Sequence, residues 1–148
     1  MNAHSAGAML SCARRGYMPI TLRESLNRRL LNNDFSCEKE LTLSLISGKW
    51  KIVLIWHLAH EGPLRFGQMM RLFENISQRI LTKQLREMEL DGLITRKVIE
   101  GSVPKVEYSL TELGMTLVPI VDSMWLWGKE HMAHYAEKVR QSEGQISN

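Results

Sequence analysis

Residues 62–110, GPLRFGQMMRLFENISQRILTKQLREMELDGLITRKVIEGSVPKVEYSL, decide the fold of this 148-residue chain. The stretch reads as two short helices followed by a two-stranded ribbon. In the second helix Leu81, Leu85 and Met88 recur at helical spacing and predict an inward face. Arg79, Thr82, Lys83 and Arg86 fall three or four positions apart and predict one outward stripe of hydrogen-bond donors. Ser77 supplies an N-cap hydroxyl for that helix, and Gly92, just after Asp91, ends it. Two strand-like runs follow, residues 93–99 and 105–110, joined by Glu100-Gly101-Ser102-Val103-Pro104. A helix that displays basic and amide side chains beside a basic hairpin matches what a DNA groove and its flanking phosphates demand.

Working outward, residues 64–66 predict a minor strand that pairs with the ribbon. Gly67 is the expected N-cap of the first short helix, with Met69, Leu72 and Phe73 facing inward. Glu74-Asn75-Ile76 must then turn the chain sharply, with Asn75 in left-handed geometry and Ile76 plugging the angle between the helices. Upstream, residues 50–60 are apolar on almost every side and predict a buried central helix stopped by Gly62-Pro63. A further helix starts at Ser36 or Cys37, with Glu38 and Glu40 in its first turn, and ends at Gly48. Thr21 and Glu24 make a capping-box pattern. Leu22, Leu26 and Leu30 on one face extend it into an amphipathic helix to Leu31, with Arg23, Arg28 and Arg29 in solvent. Residues 1–20 carry no periodicity and read as flexible.

Downstream, Thr111 caps a helix bearing Leu113, Leu117, Ile120, Val121, Met124 and Trp125, more large apolar residues than a lone terminal helix normally hides. This stripe predicts a subunit interface. Pro119 is expected to kink that helix or divide it, and from Glu137 the sequence turns polar and is expected to fray. The expected fold is therefore mainly α with a small β-hairpin wing (α+β), a winged helix-turn-helix made dimeric by terminal helices. Residues 1–36 form an N-terminal extension, flexible to about residue 20 and then helical. Residues 37–130 form the winged-helix domain with its dimerisation helix, and residues 131–148 a C-terminal tail.

Composition sets limits on function. A hydrophobic share of 44% is that of a globular chain, and the longest apolar run, residues 52–56, is far too short to span a bilayer, so no membrane partner is expected. The chain lacks a signal-peptide pattern and has two cysteines, Cys12 and Cys37, too few for a disulfide scaffold; a cytoplasmic location is expected. The net charge of +3 is carried by residues 1–36, because residues 37–130 hold twelve basic and twelve acidic side chains. A nucleic-acid interface must then rest on local patterning.

In that pattern Arg79 and Gln78, near the helix start, are placed to reach base edges and are suited to guanine and adenine. Ser77 is counted with them on the DNA-facing side, Thr82, Lys83 and Arg86 are expected on the sugar-phosphate backbone, and Arg96, Lys97 and Lys105 are expected to grip phosphates from the ribbon. A solvated helix face, in a winged-helix module that holds protein partners, is the competing interpretation. His57 with His60, and His131 with His134, repeat a spacing a zinc site can use, but no accompanying carboxylate motif appears, and neither a metal nor any other cofactor is expected. No phosphate-binding glycine loop, nucleophile elbow or pair of catalytic carboxylates is present, so no catalytic residue is assigned and the chain is not expected to be an enzyme. Cys37, at a helix start, is open to two roles: a thiol activated toward oxidants by the helix dipole, or a small buried apolar residue.

Cys37, Gly48-Lys49-Trp50, Arg65-Phe66, Ile76-Ser77, Leu81-Thr82, Leu85-Arg86, Asp91-Gly92-Leu93, residues 106–111 (VEYSLT), Gly114 and Trp127-Gly128 together resemble the HxlR-type winged-helix regulators of bacteria, relatives of the MarR group. The resemblance covers roughly residues 37–128 and is specific through order and spacing together. It implies a cytoplasmic homodimer, joined by its terminal helices, that binds a palindromic operator in double-stranded DNA and controls a nearby gene. It also implies that the cysteine matching Cys37 senses oxidants or electrophiles in some members. Glu38 stands where that family usually has proline, and Asn75 where glycine is frequent.

Overall fold

A computed structural model describes residues 23–146. Seven helices and three strands run in the order α1 (Glu24–Leu31), α2 (Glu38–Ile46), α3 (Lys49–Glu61), β1 (Leu64–Arg65), α4 (Phe66–Leu72), α5 (Gln78–Leu90), β2 (Ile94–Ile99), β3 (Lys105–Leu110), α6 (Glu112–Met115) and α7 (Val118–Ile146). The three strands form one antiparallel sheet with β3 in the middle: Leu64 faces Tyr108, and Ile94 through Ile99 pair with Leu110 through Lys105. The α4-turn-α5 unit and the β2–β3 hairpin make a winged helix-turn-helix.

The core gathers around α3, which sends Leu54, Ile55 and Leu58 inward against Met69, Phe73, Ile76, Leu81, Leu85 and Met88 of the helix-turn-helix. Leu93 and Ile94 at the wing base, and Leu117 and Val121 at the start of the terminal helices, complete it. Burying a side chain of this size stabilises by about 1.5–3 kcal/mol. The helix-turn-helix is therefore fixed by apolar contact from its inner side, which leaves its outer side free.

Several local expectations need correction. The chain between α4 and α5 turns through a bond from the Ile76 N–H to the Phe73 carbonyl (3.2 Å), and Asn75 keeps a negative φ. A four-residue turn of this kind needs no left-handed residue. Asn33, which closes α1, is the positive-φ non-glycine residue among those described (φ 53°). The N-cap of α4 is Arg65, whose N–H donates to Gln68 Oε1 (2.8 Å), and Gly67 lies inside the helix. Leu72 is exposed, while Met69 and Phe73 are buried.

The helix that begins after Thr111 is divided in two, as expected of Pro119: α6 ends at Met115 and α7 starts at Val118. Pro119 lies in the first turn of α7, where its missing N–H has no intrahelical partner to lose, so the break falls just before it at Thr116-Leu117. α7 then runs through residues 131–146 without fraying, since that polar sequence contains no proline to stop it. Thr21 and Leu22 of the expected capping box, and the leader before them, lie outside the described residues.

Candidate nucleic-acid interface

The Ser77 Oγ accepts from the Ile80 N–H (3.3 Å), so this hydroxyl starts α5 as well as lying on its exposed end. A cap of this kind is worth about 1 kcal/mol. At the other end Gly92 adopts φ 72°, and the N–H groups of Gly92 and Leu93 return to the carbonyls of Glu89 and Met88 (3.0 and 2.9 Å). Only glycine takes that conformation at little cost, and it turns the chain directly into the wing.

Between these ends Leu81, Leu85 and Met88 are buried as expected, and Gln78, Arg79, Thr82, Lys83 and Arg86 are all exposed on the opposite side. Arg79, Lys83 and Arg86 form no ion pair with another described residue. Three cations are thereby left unneutralised along two turns of one helix.

The wing divides its cations. Strand alternation and register put Lys97 and Lys105 on one face with Glu107 and Arg65, and Arg96 on the other with Tyr108. Arg65 Nε donates to Glu107 Oε1 (3.3 Å), so part of the first face is neutralised within the sheet. All three wing cations are exposed, but they do not form a single cluster.

Behind the exposed face lies a set of charges that the sequence did not announce. Lys51 of α3 is 1% exposed and its Nζ lies 2.8 Å from Glu87 Oε2 of α5. Arg23, expected in solvent, instead reaches Glu87 (3.5 Å) and the fully buried carboxylate of Asp91, with Nε 2.9 and 2.8 Å from its two oxygens. Arg29 also turns inward, to Glu40 (2.9 Å) and the Ser44 Oγ (3.0 Å). Arg28 alone of the three stays in solvent, paired with Glu24. Burial works against the charge of Glu87, but the hydrogen bond and charge of Lys51, with the charges of Arg23 and Lys83, outweigh it and hold the carboxyl below its ordinary range. One signal for Lys51 was available: it shares the inward helical spacing of Leu54, Ile55 and Leu58.

Of the side chains expected at a subunit interface, Leu117 and Val121 are spent on the chain's own core. Leu113, Ile120, Met124 and Trp125 remain exposed, and Leu126, Trp127, Met132, Tyr135 and Val139 extend the apolar surface along α7. Trp125 stacks on Trp56 of α3 (centroids 6.2 Å apart), which fixes α7 against the domain. Cys37 is the N-cap of α2 and is partly exposed. Three histidines are engaged locally: His57 with Glu61, His60 with the Trp56 carbonyl (2.8 Å) and Asp122 (3.4 Å), and His131 with the Trp127 carbonyl (2.8 Å). No helix among the described residues is long and apolar enough to cross a membrane.

Residues 45–136 match the model of the HxlR-like helix-turn-helix family. The chain is 45% identical over 118 residues to the HTH-type transcriptional regulator YdeP of Bacillus subtilis, covering 78% of this chain and 91% of that protein. Among solved structures, the redox regulator HypR in its reduced form is similar at 46% identity and a TM-score of 0.64, over 68% of this chain and 99% of that one. The reduced form of the regulator YodB from B. subtilis is similar at 33% identity and a TM-score of 0.55, over 65% of this chain and 94% of that one. With its exposed cationic helix seated beside a wing, the chain belongs to the HxlR-like helix-turn-helix family of transcriptional regulators.

Proposed function

We propose that the protein is a cytoplasmic homodimer that reads a palindromic operator by inserting α5 into the major groove. The observation that carries this assignment is the face of α5 itself, where Arg79, Lys83 and Arg86 are exposed and form no ion pair among the described residues while the buried side of the helix is fully occupied. Gln78 and Arg79 contact base edges; Ser77, Thr82, Lys83 and Arg86 contact sugar and phosphate. Arg96 grips phosphate from one face of the wing, and Lys97 and Lys105 from the other. The apolar surface of Leu113, Ile120, Met124 and Trp125, prolonged along α7, packs on a second copy about a two-fold axis. Symmetry then carries two α5 helices to half-sites one helical turn, about 34 Å, apart.

Cys37 is the candidate signal site. Its partial exposure at the start of α2 leaves the thiol open to oxidants or electrophiles, and among the structures the chain resembles HypR is solved in reduced and oxidized forms and YodB in reduced and diamide-treated forms. Footprinting on the DNA upstream of the protein's own gene tests the assignment. A protected palindrome whose affinity falls steeply with salt is expected. Absence of any salt-dependent protection would favour a protein-binding module. Mild oxidant should release the wild type from that site and leave Cys37→Ser bound; equal release of both removes Cys37 from the signal pathway.

A further inference from the structure

One of the side chains that tie the DNA-facing helix to the rest of the protein, Arg23, comes from outside the residues that match the family model. Arg23 is the N-cap residue of α1, and its guanidinium meets three acceptors on two other parts of the fold. Nε lies between the two oxygens of Asp91, the C-cap of α5; Nη1 reaches Glu87 in the last turns of α5; Nη2 donates to the Ser44 carbonyl of α2 (2.7 Å). The Asp91 side chain is fully buried and the Arg23 side chain 18% exposed, so this contact is screened little by solvent. α1 is itself anchored by the buried Leu26 and by Arg29, which bonds the Ser44 Oγ, the Glu40 carboxylate and the Asp34 carbonyl. Two arginines of one short segment thus converge on Ser44, and one of them passes on to the carboxyl-terminal end of α5.

We propose that α1 is a strap, and that Arg23 is a positioning residue for DNA recognition: by joining Asp91 and Glu87 to α2 it fixes the angle at which α5 leaves the domain. Rotation of α5 about its buried apolar side would move Arg79 away from the base edges. A planar guanidinium with donors in a fixed fork holds such an angle, whereas a single ammonium does not. Lys51, pairing with Glu87 from α3, holds the same segment from a second direction. Apolar packing of Leu81, Leu85 and Met88 seats the inner side of α5 on the core, and the ionic contacts of Arg23 and Lys51 pin its carboxyl-terminal end, where a small tilt is magnified at Arg79. Phosphate contacts tolerate a small tilt because they reach a continuous backbone, while bidentate base contacts do not.

This inference rests on α5 reading DNA, and its test separates the two. Full-length wild type, Arg23→Lys and the double variant Arg23→Ala/Asp91→Asn are compared. The double change removes the buried carboxylate that loss of Arg23 alone would leave unpaired, and Arg23→Lys keeps a cation beside Asp91 as a folded comparator. Circular dichroism melts establish folding, and fluorescence anisotropy gives the affinity for the footprinted operator and for a scrambled duplex of equal length. Each folded variant should lose about tenfold in preference for the operator, as one impaired bidentate base contact would produce, while its affinity for the scrambled duplex stays within about twofold of wild type. A wild-type preference retained in both variants overturns the strap alone. A wild type that shows no preference removes the DNA-reading assignment and the strap's role with it.

Discussion

Substituting Gly114 by alanine should unseat the junction between the wing and the terminal helices. A Cβ at this position would stand 2.1 Å from the Leu93 carbonyl oxygen and 3.1 Å from Leu110 Cδ2. An unstrained carbon–oxygen contact is about 3.3 Å, so the backbone would have to open by about 1 Å. The obstructing atom belongs to main chain that is already committed. The Leu93 carbonyl accepts from the Thr111 N–H (3.0 Å), the Thr111 hydroxyl donates to the Gly92 carbonyl (2.6 Å), and the same hydroxyl accepts from the Gly114 N–H (2.9 Å). Overpacking of this kind costs about 1–3 kcal/mol. Loss of one of these bonds adds about 0.5–1.5 kcal/mol, for a total near 2–4 kcal/mol. Urea unfolding followed by circular dichroism at fixed protein concentration measures it, with Gly67→Ala as the control. In α4 an added Cβ at Gly67 meets only the end of Arg71 at 3.8 Å, and the change should stabilise by up to about 1 kcal/mol. A Gly114→Ala protein within about 0.5 kcal/mol of wild type, the ordinary range of a surface change, would refute the packing argument.

Two further predictions concern association and acid stability. Met124→Asp and Trp127→Glu place a charge on the exposed apolar side of α7 without touching the core, and should leave the helical circular dichroism signal intact while sedimentation equilibrium shows monomers; dimers of normal stability would remove that surface from the interface. Because the Glu87 carboxyl is held below its ordinary range in the fold, its contribution is fully present above the unfolded-state value and is lost as pH falls through the depressed one. Stability measured from neutral into acid pH should therefore fall less steeply in Glu87→Gln than in wild type across that carboxylate range, and parallel profiles would contradict the pairing.

The parts of this fold that were legible from sequence are those governed by local rules. α5 announced itself through the spacing of Leu81, Leu85 and Met88, the Ser77 cap and the Gly92 stop, all of which act within one helix. The wing was legible because Gly101 and Pro104 interrupt two strand-like runs. The interior charges were not, because the Arg23–Asp91 contact joins residues 68 positions apart and no local pattern selects that partner. Arginines in an amphipathic segment read as solvated until the neighbouring element is known, and here that element brings Ser44, Glu87 and Asp91. Strand alternation, a local rule, already puts Arg96 and Lys97 on opposite faces, whereas register, a property of the pair, assigns Lys105 to the face of Lys97. Gly114 makes the same point at the backbone level, since its role is defined by the approach of Leu93, whereas the division of the terminal helix at Pro119 was a local signal and was legible.

The exposed face of α5 bears the functional claim, and comparing Arg79→Ala with Lys83→Ala in salt-dependent binding isotherms tests it most directly. Arg79→Ala should lose about 1–3 kcal/mol of discrimination between the operator and a duplex altered at the contacted base. Lys83→Ala should weaken both duplexes equally and flatten the dependence of log Kd on log salt by about one unit. Indistinguishable isotherms for both variants and wild type would contradict DNA recognition by this helix.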